Sequence, residues 1–258
     1  MHDSPSLAAA TPSAASALQN PSAGELWWRV CVALARLQGA GPVGLHAQAA
    51  RLSELCRWLC QLHGIEVELV GRLPQGPAVV VANHLGYIDP MVLCSLLPCS
   101  AIAKHEIAGW ACIGQPLVRL NVKFVRRGSP ASGARVLLSC LRTLQHGVSV
   151  LNFPEGTTSR GGLLPFHRGA FWLAQRTGLP VVPIGMDFED LGLCWVDDEA
   201  FLPHYFKLWT SRGRRKVRVS VGEPLDPRAF PNELSLSCAA RSSIEEQRRS
   251  YPGAPTAP

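Results

Sequence analysis

Apolar positions recur along this chain in two distinct rhythms. Short apolar runs such as Ala78-Val79-Val80-Val81-Ala82 and Val148-Ser149-Val150-Leu151 are rich in β-branched residues and too brief for helices, so they read as strands buried on both faces. Strands are expected near residues 66–71, 77–82, 100–103, 122–126, 148–153, 180–186 and 217–221. Helices are expected near 26–37, 46–62, 90–97, 106–119, 130–146 and 168–177. Their alternation from residue 65 onward predicts an α/β fold with a mostly parallel central sheet flanked by helices. The chain divides into a disordered tail over 1–24, a helical hairpin over 25–63, one α/β domain over 64–231 and a loosely ordered tail over 232–258, a loose helix without an obvious packing face followed by a frayed terminus.

The first two helices are amphipathic in different degrees. Over residues 25–37 the charges Glu25, Arg29 and Arg36 share one face and everything else is apolar, including Trp27 and Trp28. Such a segment is too apolar for a surface helix and too short to span a bilayer, which suits an interfacial position with the tryptophans near lipid head groups. In the second helix Gln48, Arg51, Glu54, Arg57 and Gln61 line one face, opposite Leu52, Leu55, Leu59 and Leu62. Together they form an amphipathic two-helix membrane-associating hairpin ahead of the sheet; the alternative is that both helices simply pad the globular core. No uncharged apolar run of about 18 residues is present, so a spanning helix is not expected.

Composition narrows the picture further. At 258 residues and 47% apolar, the chain can bury one sizeable core. Its first 24 residues hold no Lys or Arg and lack the basic start and apolar centre of a secretory signal. Nine scattered cysteines without a Cys-x-x-Cys pair point to reduced, mostly buried thiols. No metal and no cofactor is expected. The net charge of +6 gathers at Lys207, Arg212, Arg214, Arg215, Lys216 and Arg218, beside Tyr205, Phe206 and Trp209. This basic loop suits anionic lipid or the phosphates of a coenzyme, and nucleic acid is rejected because no recognised binding motif accompanies it. Asp187, Glu189, Asp190, Asp197, Asp198 and Glu199 read as an exposed acidic excursion after the sixth strand.

Candidate chemistry collects where strands end. Asn83-His84-Leu85-Gly86-Tyr87-Ile88-Asp89-Pro90 follows the second strand. On one helix His84 and Asp89 would stand about 140° apart, so a turn has to bring them together. Gly86 supplies the flexible point, and Pro90 suits the start of the next helix. A histidine backed by a carboxylate can take a proton from a hydroxyl. No Gly-x-Ser-x-Gly elbow occurs, so the nucleophile has to come from a substrate. Asn83 braces the turn. Val122 to Arg127 closes a short strand on Arg126 and Arg127, two guanidinium groups suited to phosphate. Phe153-Pro154-Glu155-Gly156-Thr157-Thr158-Ser159 ends another strand, with Gly156 allowing close approach and Thr157 and Thr158 offering hydroxyls and amides.

These blocks, in this order, resemble the 1-acylglycerol-3-phosphate acyltransferase family over roughly residues 65–225. The matches fall at Asn83, His84 and Asp89, at Arg126, at Phe153 to Gly156, and at Val182-Pro183-Ile184. The resemblance implies an O-acyltransferase moving a fatty acyl group from acyl-CoA or acyl carrier protein to a lysolipid hydroxyl at a membrane surface. The expected acceptor is 1-acylglycerol 3-phosphate and the product phosphatidic acid. It also implies His84 and Asp89 as catalytic, and Arg126, Glu155, Gly156, Thr157 and Thr158 as substrate-binding. The cytoplasmic face of the inner membrane, occupied peripherally or monotopically, is the expected location. Two departures stand out. Thr158 occupies a position where the family commonly carries Arg, and His167 one where it usually carries Lys. Thr-Thr-Ser turns resemble those of bacterial relatives that acylate lyso-ornithine lipid, which makes that lipid or another lysophospholipid the alternative acceptor. A non-catalytic membrane-binding module of the same fold is a further alternative.

Overall fold

The computed structural model describes residues 23–38, 43–111, 113–160, 162–196, 201–210 and 215–249. Residues 1–22 of the tail expected over 1–24, the break between the first two helices, Asp197 to Glu199, Arg212, Arg214 and the last nine residues lie outside them. Seven strands form one sheet: β1 (Ile65–Val70), β2 (Val79–Ala82), β3 (Cys99–Lys104), β4 (Lys123–Val125), β5 (Ser149–Asn152), β6 (Val181–Phe188) and β7 (Arg215–Val221). Their spatial order is β1-β7-β6-β2-β5-β3-β4. Every neighbouring pair is parallel except β6 with β7. The expected mostly parallel α/β sheet is therefore present.

Alternation sends side chains into two cores. Along β2 and the residue before it, Ala78, Val80 and Ala82 enter one and Val79 and Val81 the other, which is why this stretch reads as an unbroken apolar run. The first core is covered by α1 (Ala23–Gln38), α2 (Leu45–Leu62), α3 (Ile88–Leu96) and α4 (Gly114–Arg119). The second is covered by α5 (Pro130–Gln145), α6 (Gly169–Thr177) and α8 (Glu233–Arg249), while α7 (Phe201–Thr210) lies against α1. The crossover from β2 through α3 moves toward β3 on one face, and that from β5 through α6 returns to β6 on the other. Crossovers of one hand that diverge in this way leave a crevice at the carboxyl ends of β2 and β5.

Four expectations are corrected. The helix after residue 232 is not loose and does have a packing face: Asn232 caps α8 by accepting from Ser235 N–H at 3.0 Å, and Leu236, Ala240 and Ile244 are buried against the second core. The helix expected over 106–119 breaks into a 3-10 turn, His105–Gly109, and α4. A side chain at Gly114 would collide with the Ala108 carbonyl, so the chain doubles back there. Much of the basic loop is strand, since Arg215, Lys216 and Arg218 lie on β7, where Lys216 pairs with Glu68 at 2.8 Å and Arg215 donates to the His63 carbonyl. The acidic excursion is also not uniformly exposed: Asp187 is buried on β6 and paired with Arg248 at 3.0 Å. α1 turns Val30, Ala33 and Leu34 into the protein and leaves Trp28 68% exposed. Among the described residues, no helix is long and apolar enough to cross a membrane.

Candidate active site

As the chain leaves β2, Asn83 extends the sheet with its side chain. Nδ2 donates to the Met186 carbonyl at 2.9 Å and Oδ1 accepts from Met186 N–H at 2.7 Å, locking the turn to β6. The turn is tight at Gly86, where a Cβ would stand 3.0 Å from Trp195 N, itself held by donating to the Leu85 carbonyl at 2.9 Å. Asp89 then points back from the first turn of α3, fully buried. Its Oδ2 accepts from Leu85 N–H at 2.5 Å and Gly86 N–H at 2.9 Å, and lies 2.7 Å from His84 Nδ1. One carboxylate oxygen thus organises both the loop and the ring. Because the carboxylate takes Nδ1, that nitrogen carries the hydrogen and Nε2 keeps the basic lone pair. Nε2 has no hydrogen bond among the described residues, and the ring stacks on Phe153 with centroids 4.2 Å apart.

Glu155 approaches the same turn from β5, but not as a ligand-facing residue. It is 4% exposed; Oε1 accepts from His84 N–H and Oε2 from Leu164 N–H, each at 2.8 Å. Burial pushes its carboxyl above the ordinary carboxylate range, against the pull of those two bonds and of nearby His84 and Arg248. The expectation of a substrate contact here is corrected to a brace beneath His84. Gly156 has φ +70°, and the turn packs on the His167 ring, 3.0 Å from where a Cβ would stand. Its N–H donates to the Phe153 carbonyl, while the N–H groups of Thr157 and Thr158 have no partner among the described residues. Thr157 is exposed and Thr158 half-buried.

Arg126 stands on the same side of the sheet, three strands from β2, about 14 Å by strand spacing. The pairings Val81 with Asn152, Ala101 with Leu151 and Lys104 with Val125 set the carboxyl ends of these four strands in order, and residues 84, 155, 105 and 126 follow those ends. Arg126 is exposed, and its Nη2 lies 3.3 Å from His105 Nε2. His105 is absent from the sequence expectations. The strand-end rule that singled out His84, Arg126 and Glu155 would have reached it had it been applied to the third strand.

Two further contacts also escape a sequence reading. Tyr87, inside the His-Asp loop, has its hydroxyl 3.1 Å from His204 Nδ1 on α7, and the next residue, Tyr205, reaches His63 at 3.1 Å. Arg241 on α8 donates to the carbonyls of Leu163 and Leu164, beside Glu155. α7 was not expected from the sequence and α8 only as a loose helix without a packing face, so no signal pointed to these residues.

Comparison with known proteins bears on the family and the fold. A family model described as Acyltransferase matches residues 64–187. The lyso-ornithine lipid O-acyltransferase of Pseudomonas aeruginosa is 32% identical over 183 residues, covering 66% of this chain and 69% of that enzyme. The 1-acyl-sn-glycerol-3-phosphate acyltransferase alpha of Mus musculus is 34% identical over 166 residues, 61% of this chain, which spans 55% of the mouse enzyme's length. In fold, the chain is similar to the 1-acyl-sn-glycerophosphate acyltransferase PlsC from Thermotoga maritima, with TM-score 0.64 and 22% identity over 87% of this chain and 90% of that one. With more than two thirds of the Pseudomonas enzyme matched at 32% identity, the chain belongs to the acyltransferase family that includes these lysolipid enzymes.

Proposed function

We propose that this protein transfers a fatty acyl group from a thioester, carried by coenzyme A or acyl carrier protein, to the free hydroxyl of a lysolipid at a membrane surface. The observation that carries the reading is the His84–Asp89 pair with Nε2 left available at the crevice. His84 Nε2 takes the hydroxyl proton while Asp89 holds Nδ1, and the acceptor oxygen attacks the thioester carbonyl. The tetrahedral oxyanion then collapses, the C–S bond breaks, and the imidazolium returns its proton to the departing thiolate. Acyl-enzyme formation is not needed. Gly86 N–H already serves Asp89 and Gly156 N–H serves Phe153, so Thr157 and Thr158 N–H are the turn donors left for the oxyanion.

Arg126, oriented by His105, suits an acceptor phosphate held away from the reacting hydroxyl. On this reading the acceptor is 1-acylglycerol 3-phosphate and the product phosphatidic acid. A specific pair of residues favours a second acceptor: Thr158 and His167 place no fixed cation at two positions beside the Gly156 turn. That, with the Pseudomonas relative's similarity, supports lyso-ornithine lipid. Exposed Trp28 supports peripheral or monotopic attachment, on the cytoplasmic face of the inner membrane where thioester donors are found.

The test is to incubate purified protein with acyl-CoA or acyl carrier protein thioesters and a panel of lysolipids, identifying products by mass. Acylation of 1-acylglycerol 3-phosphate supports the first acceptor and selective acylation of lyso-ornithine lipid the second. No acyl product from any pairing contradicts the reading, and membrane binding alone would favour the non-catalytic module.

A further inference from the structure

The family model ends at residue 187, well before α8 begins. Two groups on that helix nevertheless reach the crevice. Arg248 pairs with Asp187, and Arg241 donates Nη1 to the Leu164 carbonyl at 2.5 Å and Nη2 to the Leu163 carbonyl at 2.9 Å. The Arg241 guanidinium also lies 5.8 Å from the Phe166 ring centroid and 3.0 Å from Glu245 one turn along. Leu164 is the residue whose N–H holds Glu155 Oε2, while Oε1 holds His84 N–H. A continuous line of hydrogen bonds thus runs from the C-terminal helix to the main chain of the histidine.

We infer that Arg241 is a positioning residue for the acyl transfer: by gripping two successive carbonyls it fixes Leu164, which fixes Glu155, which sets His84 and the floor of the Gly156 turn. The role as a positioning residue rests on the proposed function, but the mechanical linkage does not. The choice of side chain follows from the geometry. A planar fork can serve two neighbouring carbonyls at once, whereas an ammonium is a single point charge. Leu163 and Phe166 pack on the second core, but Leu163 and Leu164 are half-buried and Pro165 is exposed, so it is the fork that pins the two carbonyls. Without it Glu155 would be a buried carboxylate with one of its two compensating bonds loosened.

Two variants separate the linkage from mere helix packing. Arg241→Met keeps an unbranched apolar stem over Phe166 without donors, and Arg241→Lys restores one donor. Amide hydrogen exchange is read on three segments: 163–166, 83–87 and the start of α8. In Arg241→Met, exchange at 163–166 and at 83–87 should quicken about tenfold, the cost of roughly one hydrogen bond, with the start of α8 unchanged and Lys intermediate. Unchanged exchange at 83–87, or faster exchange confined to α8, would overturn the linkage whether or not any lysolipid is turned over. In steady-state kinetics, kcat should fall about tenfold while the thioester KM stays as in the unaltered protein. The acid limb of the pH–rate profile should also move upward, because Glu155, faced by His84 and Arg248, loses a bond that holds its carboxyl down. An unchanged kcat and acid limb, with exchange altered as expected, would leave Arg241 a structural clasp and overturn its part in the reaction.

Discussion

At His84 the important outcome is which ring nitrogen stays free. Asp89 could have capped α3 alone, as an aspartate before proline often does, but its Oδ2 also faces Nδ1 and two loop amides. The loop therefore cannot relax without disturbing the ring. At Glu155 the residue type suggests one role and the geometry gives it another. Its type suits a hydroxyl or phosphate partner, yet both oxygens are spent on main-chain donors. Both donors are N–H groups, so an amide in place of the carboxylate would set its NH2 against one of them. Glu155→Gln should accordingly lower stability by about 1–3 kcal/mol in chemical denaturation and impair turnover. Unaltered stability would mean that the two bonds are not holding the turn.

At the scale of elements, the sheet was legible because its strands are apolar runs bounded by Gly, Pro and polar turns, and all seven fall where expected. Two helices were hard to read for physical reasons, α7 being unexpected and α8 expected only as a loose helix. α8 carries only Leu236, Ala240 and Ile244 inward among Ser, Arg and Glu, too thin a stripe to stand out from a polar tail. α7 holds Pro203 near its start and a run of aromatic residues, which obscures helical periodicity. Long-range hydrogen bonds such as Tyr87 to His204 have no local trace at all. One junction of elements makes a pH prediction. His63, at the end of α2, is buried beside Tyr205 of α7 and Arg215 of β7, and burial, then Arg215, lowers its pKa to about 3. Unfolded histidine binds a proton near pH 6.5, so below that value the unfolded chain takes up the proton that the folded one refuses. Stability from this group is complete above about pH 6.5 and falls with pH, by about 1.4 kcal/mol per unit, down to about 3. Denaturation titrations at pH 7 and pH 5 should show this slope in the unaltered protein and a shallower one in His63→Gln; equal slopes would remove the assignment.

At the scale of the molecule, the two helical layers have different surroundings to satisfy. The layer holding α1 and α2 buries one face on the sheet and still presents Trp28 outward, whereas α5, α6 and α8 close the opposite face. If α1 rests in a bilayer interface, Trp28→Ala should weaken sedimentation with anionic vesicles by about tenfold, as expected for losing one large buried aromatic. Equal partitioning of the two proteins would detach α1 from the lipid. The carboxyl edge of the sheet carries the His84–Asp89 pair and the Gly156 turn side by side, with Arg126 about 14 Å away at the end of β4. The most direct measurement is turnover by His84→Ala of the lysolipid that the unaltered protein acylates, with circular dichroism confirming the fold. Loss of rate by about 10²–10⁴ is the predicted result; turnover equal to the unaltered protein's would contradict the account.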